Sequence, residues 1–429
     1  MNRNLTVRPD RIAADIEALA RLTEPDRPWT RRAFTPRFLD GRTYLEAAMR
    51  AAGLEPRLDA GGNLIGRRKG RAGSGKALVV GSHSDTVPDG GRFDGIAGVV
   101  AGLEIARALA DRGIELEHNF EVIDCLAEEV SLYGVSCIGS RAIAGTLPAD
   151  WLRREADGRT LADGIATVGG APSDLASARR DDIAAFLELH IEQGPILQAE
   201  ARNLGVVTAI AGITRIEIEV HGRADHAGTT PMHARSDALT AAAAIVAWID
   251  LMAKARAATA ATTGHFAATV GEFRIEPNAA NVVPSYARLL VDARAEKRAE
   301  MEGFLTDLDA YLAATFPGAG GPSATTRRVS DNHPTPSDPA VLATIEEAAD
   351  AVGVSHRRMA SGAGHDMAWF ARIAPAAMVF VPCRDGRSHC PEEWAEPEAI
   401  ALGTEVLLQT LLRLDRGALD EFAHHDGRS

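Results

Sequence analysis

The sequence predicts an α/β protein interrupted by an inserted α+β domain, and three observations carry that reading. The 429 residues exceed the ~250–300 at which a single hydrophobic core stops growing. Strand and helix signals alternate through the first half of the chain. From about residue 210 the texture changes to a separate group of strands and helices, and it reverts near residue 330.

The elements follow in order. Periodic apolar positions in RIAADIEALARL (11–22) and TYLEAAMRAAGL (43–54) predict helices, the second closed by Gly53. ALVVG (77–81) and NFEVIDCLAEE (119–129) read as strands, separated by the helix-like GIAGVVAGLEIARALADRG (95–113). Strand, long helix, strand is the pattern of a parallel sheet, whose ligand-bearing loops lie at the carboxyl ends of the strands. His83, Asp94, Glu128 and Glu129 fall at or soon after such ends.

Within the insertion, TRIEIEVHG (214–222), HFAATVGEF (265–273) and YARLLVDAR (286–294) read as strands. SDALTAAAAIVAWIDLMAKA (236–255) and KRAEMEGFLTDLDAYLAATF (297–316) read as helices. The Gly/Pro-rich GAGGPS (318–323) and the polar SDNHPTPSDP (330–339) mark the return, followed by a helix (341–353), a strand (376–382) and a last helix (398–414). This sets three segments, 1–209, 210–327 and 328–429, the first and third forming one domain.

Composition excludes several classes. A formal charge of −13 argues against nucleic acid, because phosphate backbones demand clustered Lys and Arg. The N-terminus MNRNLTVRPDRIAADIEAL is charged and lacks an apolar core typical of export signals. The longest apolar run, Leu239 to Ile249, is short for a bilayer and is flanked by Asp237 and Asp250. A soluble, cytoplasmic protein without membrane partners is expected. Cys125, Cys137, Cys383 and Cys390 form no C-x2-C pair, so they read as free thiols in a reducing compartment. GRAGSGKA (70–77) nearly matches a phosphate-binding loop, but Ala77 stands where a magnesium-binding hydroxyl belongs and a strand follows where a helix must start.

The residues that carry chemistry are His83, Asp85, Asp94, Glu128, Glu129, His190 and His389. Each alone also reads as a solvated or hydrogen-bonded side chain. Together they suit a two-metal site, in which two divalent ions sit ~3.5–4 Å apart and share a hydroxide. Imidazole and carboxylate donors suit Zn, Mn, Co or Ni. Asp85 lies two residues from His83 on an extended segment, so its carboxylate can hydrogen-bond that imidazole from behind. Adjacent Glu128 and Glu129 point different ways, so one can bind metal while the other handles protons.

GSHSDTV, GRFDG, AEE, ELHIEQGP, ADHAGTTPM, NVVP, SGAGHD and GRSHCPEE, in this order, resemble the metal-dependent amidase/carbamoylase family. That family holds N-carbamoyl-L-amino-acid hydrolases, allantoate amidohydrolases and β-ureidopropionases, within the aminoacylase/carboxypeptidase-like superfamily. The resemblance runs from about residue 15 to 415. It implies a catalytic α/β domain (1–209 and 328–429) with an inserted lid and dimerisation domain (210–327), two divalent ions per subunit, and a small carboxylate-bearing ureido or amide substrate.

By resemblance, His83 and His389 are terminal ligands of different ions, Asp94 is the bridge, and Glu129 and His190 complete the set. Glu128 is the general base that deprotonates the bridging water. His226, Asn281 and Arg294 match lid residues that reach the substrate, the histidine coming from the other subunit of a homodimer. An imidazole and an amide polarise a scissile carbonyl, and a guanidinium forks onto a carboxylate. Gln193, Gly362 and Gly364 would line the pocket with amide donors.

His221, His365 and Arg215 read as structural, and Arg294 also has a structural reading, as the partner of a lid carboxylate. One departure stands out. Relatives commonly carry a small residue, Arg and an aromatic after the paired glutamates, where this chain has Ser131, Leu132 and Tyr133. The expected reaction is cleavage of the C–N bond of an N-carbamoyl amino acid or related ureido acid. The alternatives are an N-acyl-amino-acid deacylase or dipeptidase, or a catalytically silent binding protein on the same fold.

Overall fold

A computed structural model of the chain describes residues 6–73 and 75–417. They divide into two compact units. The first holds the chain up to Thr208, Pro336–Arg358 and the part from His365 onward; the second holds Ala209–Thr335 and Met359–Gly364.

In the first unit, strands Asn119–Cys125, Ala77–His83, Ile183–Ile191 and Ala376–Val381 lie side by side in that order, all parallel. Their residues are almost entirely buried, as expected of strands covered on both faces. Leu64–Arg68 joins Asn119–Cys125 antiparallel, Glu55–Leu58 joins Leu64–Arg68 antiparallel, and Leu204–Ile210 lies antiparallel to Ala376–Val381. The nine-stranded sheet is therefore mixed, with a parallel centre.

The crossover helix Ile96–Asp111 is apolar nearly all round and buried along its length. It shares one core with helices Pro9–Ala20, Pro339–Val352 and Pro397–Asp415. Each fully buried Leu, Ile or Val there, such as Leu103, Ile345 or Leu407, contributes about 1.5–3 kcal/mol over its exposed state. Helix Pro339–Val352 shows how local signals set boundaries. The Asp338 carboxylate accepts from the Ala340 and Val341 amides, Pro339 fills the first turn, and Gly353 ends the helix at φ 71°.

The second unit is a four-stranded antiparallel sheet in the order Phe266–Glu276, Tyr286–Ala295, Gly212–His221, Ser323–Asn332. Alternate residues Ala287, Leu289, Val291 and Ala293 turn inward, with Ile216, Ile218 and Val220 beside them. Ala242, Ile245 and Ile249 of helix Ala238–Thr263 and Phe304 and Leu308 of helix Arg298–Thr315 complete this core.

Three expectations need correction. The return of the chain lies later than residue 328, because 323–332 form a full strand paired to Gly212–His221. That strand is largely exposed, so its sequence SATTRRVSDN shows no apolar alternation and resembles a loop. The glycine segment with Gly362 and Gly364 also belongs to the second unit. The apolar helix is longer than Leu239–Ile249 suggests: Ala238–Thr259 is long and apolar enough to cross a membrane by length and composition, with 33% of its most apolar window buried.

Candidate metal centre

The parallel strands end in a common line. His83 is the last residue of its strand and stands opposite Cys125, the last residue of the next, while His190 stands opposite Phe380. Glu128 and Glu129 leave just after Cys125 through Ala127, whose φ is 52°. Asp94 enters from the loop before helix Ile96–Asp111, where Gly95 takes φ 65°. A side chain at Gly95 would run into the His83 imidazole, so that ligand occupies space only a glycine leaves open. Gln193 (φ 56°), Cys137 (φ 53°) and His389 (φ 55°) also adopt left-handed backbone. Such conformations cost about 1–3 kcal/mol each and collect at functional sites.

Asp94 divides its two oxygens. Oδ1 lies 3.2 Å from His190 Nε2 and 3.5 Å from His83 Nε2; Oδ2 lies 3.2 Å from His389 Nε2. His389 Nε2 is in turn 3.1 Å from Glu129 Oε1. Two donor groups result, His83–Asp94–His190 and Asp94–Glu129–His389, each with its donor atoms within 4.8 Å of one another.

The histidines of the first group are aimed by their far nitrogens. His83 Nδ1 is 3.0 Å from the Asp85 carbonyl and His190 Nδ1 is 2.9 Å from the Ile191 carbonyl. Nδ1 must carry the proton to donate to a carbonyl, which turns both Nε2 atoms toward the shared Asp94 carboxylate, where a cation would replace the N–H of Gly95 that His190 Nε2 accepts at 3.0 Å. Imidazole and carboxylate donors converging in this way fit two borderline divalent ions.

Charge follows the geometry. Burial works against ionised Asp94, but facing His190, His389 and His83 hold its carboxyl well below the usual range. Hydrogen bonds to Asp94 and Glu129 push His389 up to about 11. Burial pushes Glu128 well above the ordinary carboxylate range and raises Glu129. Glu128 Oε2 lies 3.7 Å from His83 Nε2, and the residue belongs to neither donor group. It is a buried acid with a raised pKa beside a candidate cation site, the environment of a proton-transfer group.

The remaining expected residues are distributed as follows. The closest contact of Asp85 to His83 is its carbonyl; its carboxylate Oδ1 is 3.5 Å away and accepts the Glu128 amide at 3.2 Å. Gln193 is committed to Asp94, donating from Nε2 to Oδ2 at 2.7 Å, rather than standing free.

In the second unit, His226 and Asn281 come together because Asp225–His226 pairs with Val282–Val283, and Ala227 N–H donates to the Asn281 carbonyl at 3.0 Å. His226 Nδ1 accepts from the Gly228 and Thr229 amides at 3.0 and 3.3 Å, so the neutral ring carries its proton on Nε2. Arg294 donates from Nε to Asp292 at 2.8 Å and from Nη1 to the Gly362 carbonyl at 2.7 Å. The structural reading of Arg294, as the partner of a lid carboxylate, thus finds its contact, and Gly362 contributes a carbonyl rather than an amide there. Gly364 is exposed. His365 is buried against His190 and Phe380, and the exposed side chain of Arg215 pairs with Asp292 of the neighbouring strand.

Three residues of the site were not singled out by sequence. Glu393 accepts from the Phe93 and Asp94 amides, Ser388 Oγ lies 3.0 Å from Asp94 Oδ2, and Cys137 Sγ lies 3.4 Å from Glu128 Oε1. The first two sit inside GRSHCPEE, so the signal was present, but an acid or a serine near a ligand does not announce what it bonds.

The description of peptidase family M20/M25/M40 matches residues 79–413. The chain belongs to this family. An N-carbamoyl-L-amino-acid amidohydrolase of Paenarthrobacter aurescens is 40% identical to this M20 chain, covering 95% of it and 98% of the relative. A ureidoglycolate hydrolase of Oryza sativa subsp. japonica is 34% identical over 94% of this chain and 84% of its own length. A crystal structure of an amidase of the hydantoinase/carbamoylase family from Burkholderia multivorans superposes with a TM-score of 0.85 at 36% identity, covering 95% and 97% of the two chains. These place the M20 chain in the hydantoinase/carbamoylase amidase branch, a branch of hydrolases.

Proposed function

We propose that the chain is a metal-dependent amidohydrolase cleaving the C–N bond of an N-carbamoyl amino acid or a related ureido acid. The observation that carries this is the division of Asp94 between two donor groups with Glu128 left outside both. Relatives described as acting on N-carbamoyl-L-amino acids and ureidoglycolate support the ureido substrate.

His83 and His190 with Asp94 Oδ1 would hold one divalent ion, and Glu129 and His389 with Asp94 Oδ2 the other. When bound, such ions acidify water and polarise a carbonyl. Glu128 takes the proton of the attacking water and delivers it to the leaving nitrogen, a task suited to an acid whose pKa burial raises. His226, with its proton on Nε2, donates to the oxygen that gains charge, and Asn281 adds an amide to it. Arg294 receives the substrate carboxylate.

The resemblance supports a homodimer, in which His226 of one protomer serves its partner. The exposed apolar side chain of Leu251 on helix Ala238–Thr263 supports an association through the second unit. Four free cysteines support a reducing, cytoplasmic setting.

The test is a substrate panel on protein loaded separately with Zn, Mn, Co and Ni. N-carbamoyl, N-formyl and N-acetyl amino acids, allantoate, ureidopropionate and ureidoglycolate compete in it. Preferred turnover of N-acetyl substrates or dipeptides would replace the ureido reading with deacylase or peptidase chemistry. No turnover at full metal occupancy would favour a binding protein.

A further inference from the structure

The two donor groups are built differently. His83 and His190 sit at the ends of central strands with side chains 1% exposed. His389 lies on the loop after strand Ala376–Val381, and its side chain is 48% exposed. Something other than sheet register must therefore hold His389 and Asp94 at a common distance.

Glu393 is fully buried. Its Oε1 accepts the backbone N–H of Phe93 at 2.8 Å and of Asp94 at 3.1 Å. Its Oε2 lies 2.8 Å from Ser388 Oγ, which is also 3.0 Å from Asp94 Oδ2. One carboxylate thus grips the backbone of the bridging residue and, through Ser388, both its side chain and the segment just before His389.

Two independent features fit this. A Cβ at Gly91 would overlap the Glu393 carboxylate, so the glycine is what admits the acid to the Asp94 loop. Gly91 is not a positive-φ residue, so backbone conformation does not explain it. The same two loops are joined again by Arg92, whose guanidinium carbon lies 4.7 Å from the Trp394 ring centre and 4.9 Å from that of Trp29. Trp29 Nε1 donates to the Pro391 carbonyl at 3.3 Å.

We propose that Glu393 is a positioning residue that fixes the second metal position, holding Asp94 and the His389 loop in one register. This rests on the two-ion reading above. Glu393 touches no metal; it sets how far His389 stands from the shared carboxylate. Its loss should lower affinity at the second position about 10–100-fold, the usual effect of removing a group that orients a ligand. The first position shares Asp94 but takes both its histidines from the sheet, so it should weaken much less.

The experiment measures ions per subunit by elemental analysis after dialysis against buffered Zn or Mn, and each affinity by chelator competition. Wild type should hold two ions. Glu393→Ala should hold one tightly and the second 10–100-fold more weakly, and Gly91→Ala should reproduce this by displacing the acid without removing it. Glu393→Gln should keep both ions, because the amide oxygen still accepts the two backbone donors and the amide nitrogen still meets Ser388.

Wild-type affinity for both ions in Glu393→Ala, or equal weakening at both positions, would overturn the proposal. A wild type that holds fewer than two ions would instead overturn the two-ion reading. Should Glu393→Ala be recovered unfolded, Gly91→Ala and Ser388→Ala, which leave the acid in the chain, decide the question.

Discussion

The thiol of Cys137 lies 3.4 Å from Glu128 Oε1 and 3.7 Å from the Glu128 carbonyl, while the Cys137 amide donates to that carbonyl at 3.0 Å. The base is thus held by a neighbour across a turn as well as by the strand that ends at Cys125 just before it. A donor on a carboxylate favours its ionised form. Cys137→Ala should therefore raise the Glu128 pKa, moving the acidic limb of the kcat/KM profile upward by about half a unit to one unit. Cys137→Ser, which keeps a donor, should leave the limb near its wild-type position, and metal content should be unchanged in both. An unshifted limb in the alanine variant would show that the thiol does not act on the base.

Glu128→Gln should keep its metal ions and its affinity for substrate but lose turnover by about 10²–10⁴-fold, the usual worth of a positioned general base. Elemental analysis, equilibrium binding and steady-state rates separate the three quantities. A near wild-type rate would mean that another group moves the proton.

Metal loading should release protons. His389 in the metal-free protein is raised to about 11 by Asp94 and Glu129, so near neutral pH it is charged and must lose its proton to bind a cation. Its raised pKa means that the imidazolium stabilises the metal-free fold at neutral pH and that this contribution disappears as pH rises through about 11. Apparent metal affinity should therefore increase steadily between pH 6 and 9. Calorimetry in buffers of different ionisation enthalpy would measure the protons released, and a pH-independent affinity would contradict the assignment.

Arg294 should discriminate charge on the substrate. Its Nε and Nη1 are oriented by Asp292 and the Gly362 carbonyl, a geometry that lysine cannot copy. Arg294→Lys should raise KM far more than it lowers kcat, and carboxamide analogues of the best substrate should react poorly with wild type. Equal rates on acid and amide would remove Arg294 from recognition.

Subunit sharing has a direct assay. Glu128→Gln and His226→Ala protein, each inactive alone, are dissociated, mixed and reassociated. A site that uses His226 of the partner subunit gives heterodimers with one intact site, so activity should return. Its absence, with exchange independently shown, would assign each His226 to its own subunit.

Residue order made much of this molecule legible. The buried strand ALVV, the long apolar helix from Ile96 and the alternation of YARLLVDAR are set by burial, which periodicity reports directly. Strand Ser323–Asn332 escaped because an exposed edge carries no apolar period. The candidate ligands His83, Asp94, Glu129, His190 and His389 and the candidate base Glu128 were visible as motif members, yet the division of Asp94 between two groups was not, since it depends on strands far apart in sequence meeting at their ends. Glu393 and Cys137 escaped for the same reason: their meaning lies in what they touch across a loop.

Two large hydrophobic cores among the described residues share no residue: one packs on the parallel sheet that carries His83 and His190, the other lies under the sheet that carries Arg294. Under the proposed roles, the groups that move protons and hold ions answer to one set of packing constraints and the groups that read the substrate answer to another. Mutational search for a new substrate can then be confined to Ala209–Thr335 and Met359–Gly364, where a lost kilocalorie weakens the reading head without loosening the reactor. For a lineage as for a protein engineer, that separation makes specificity cheap to vary and chemistry hard to lose.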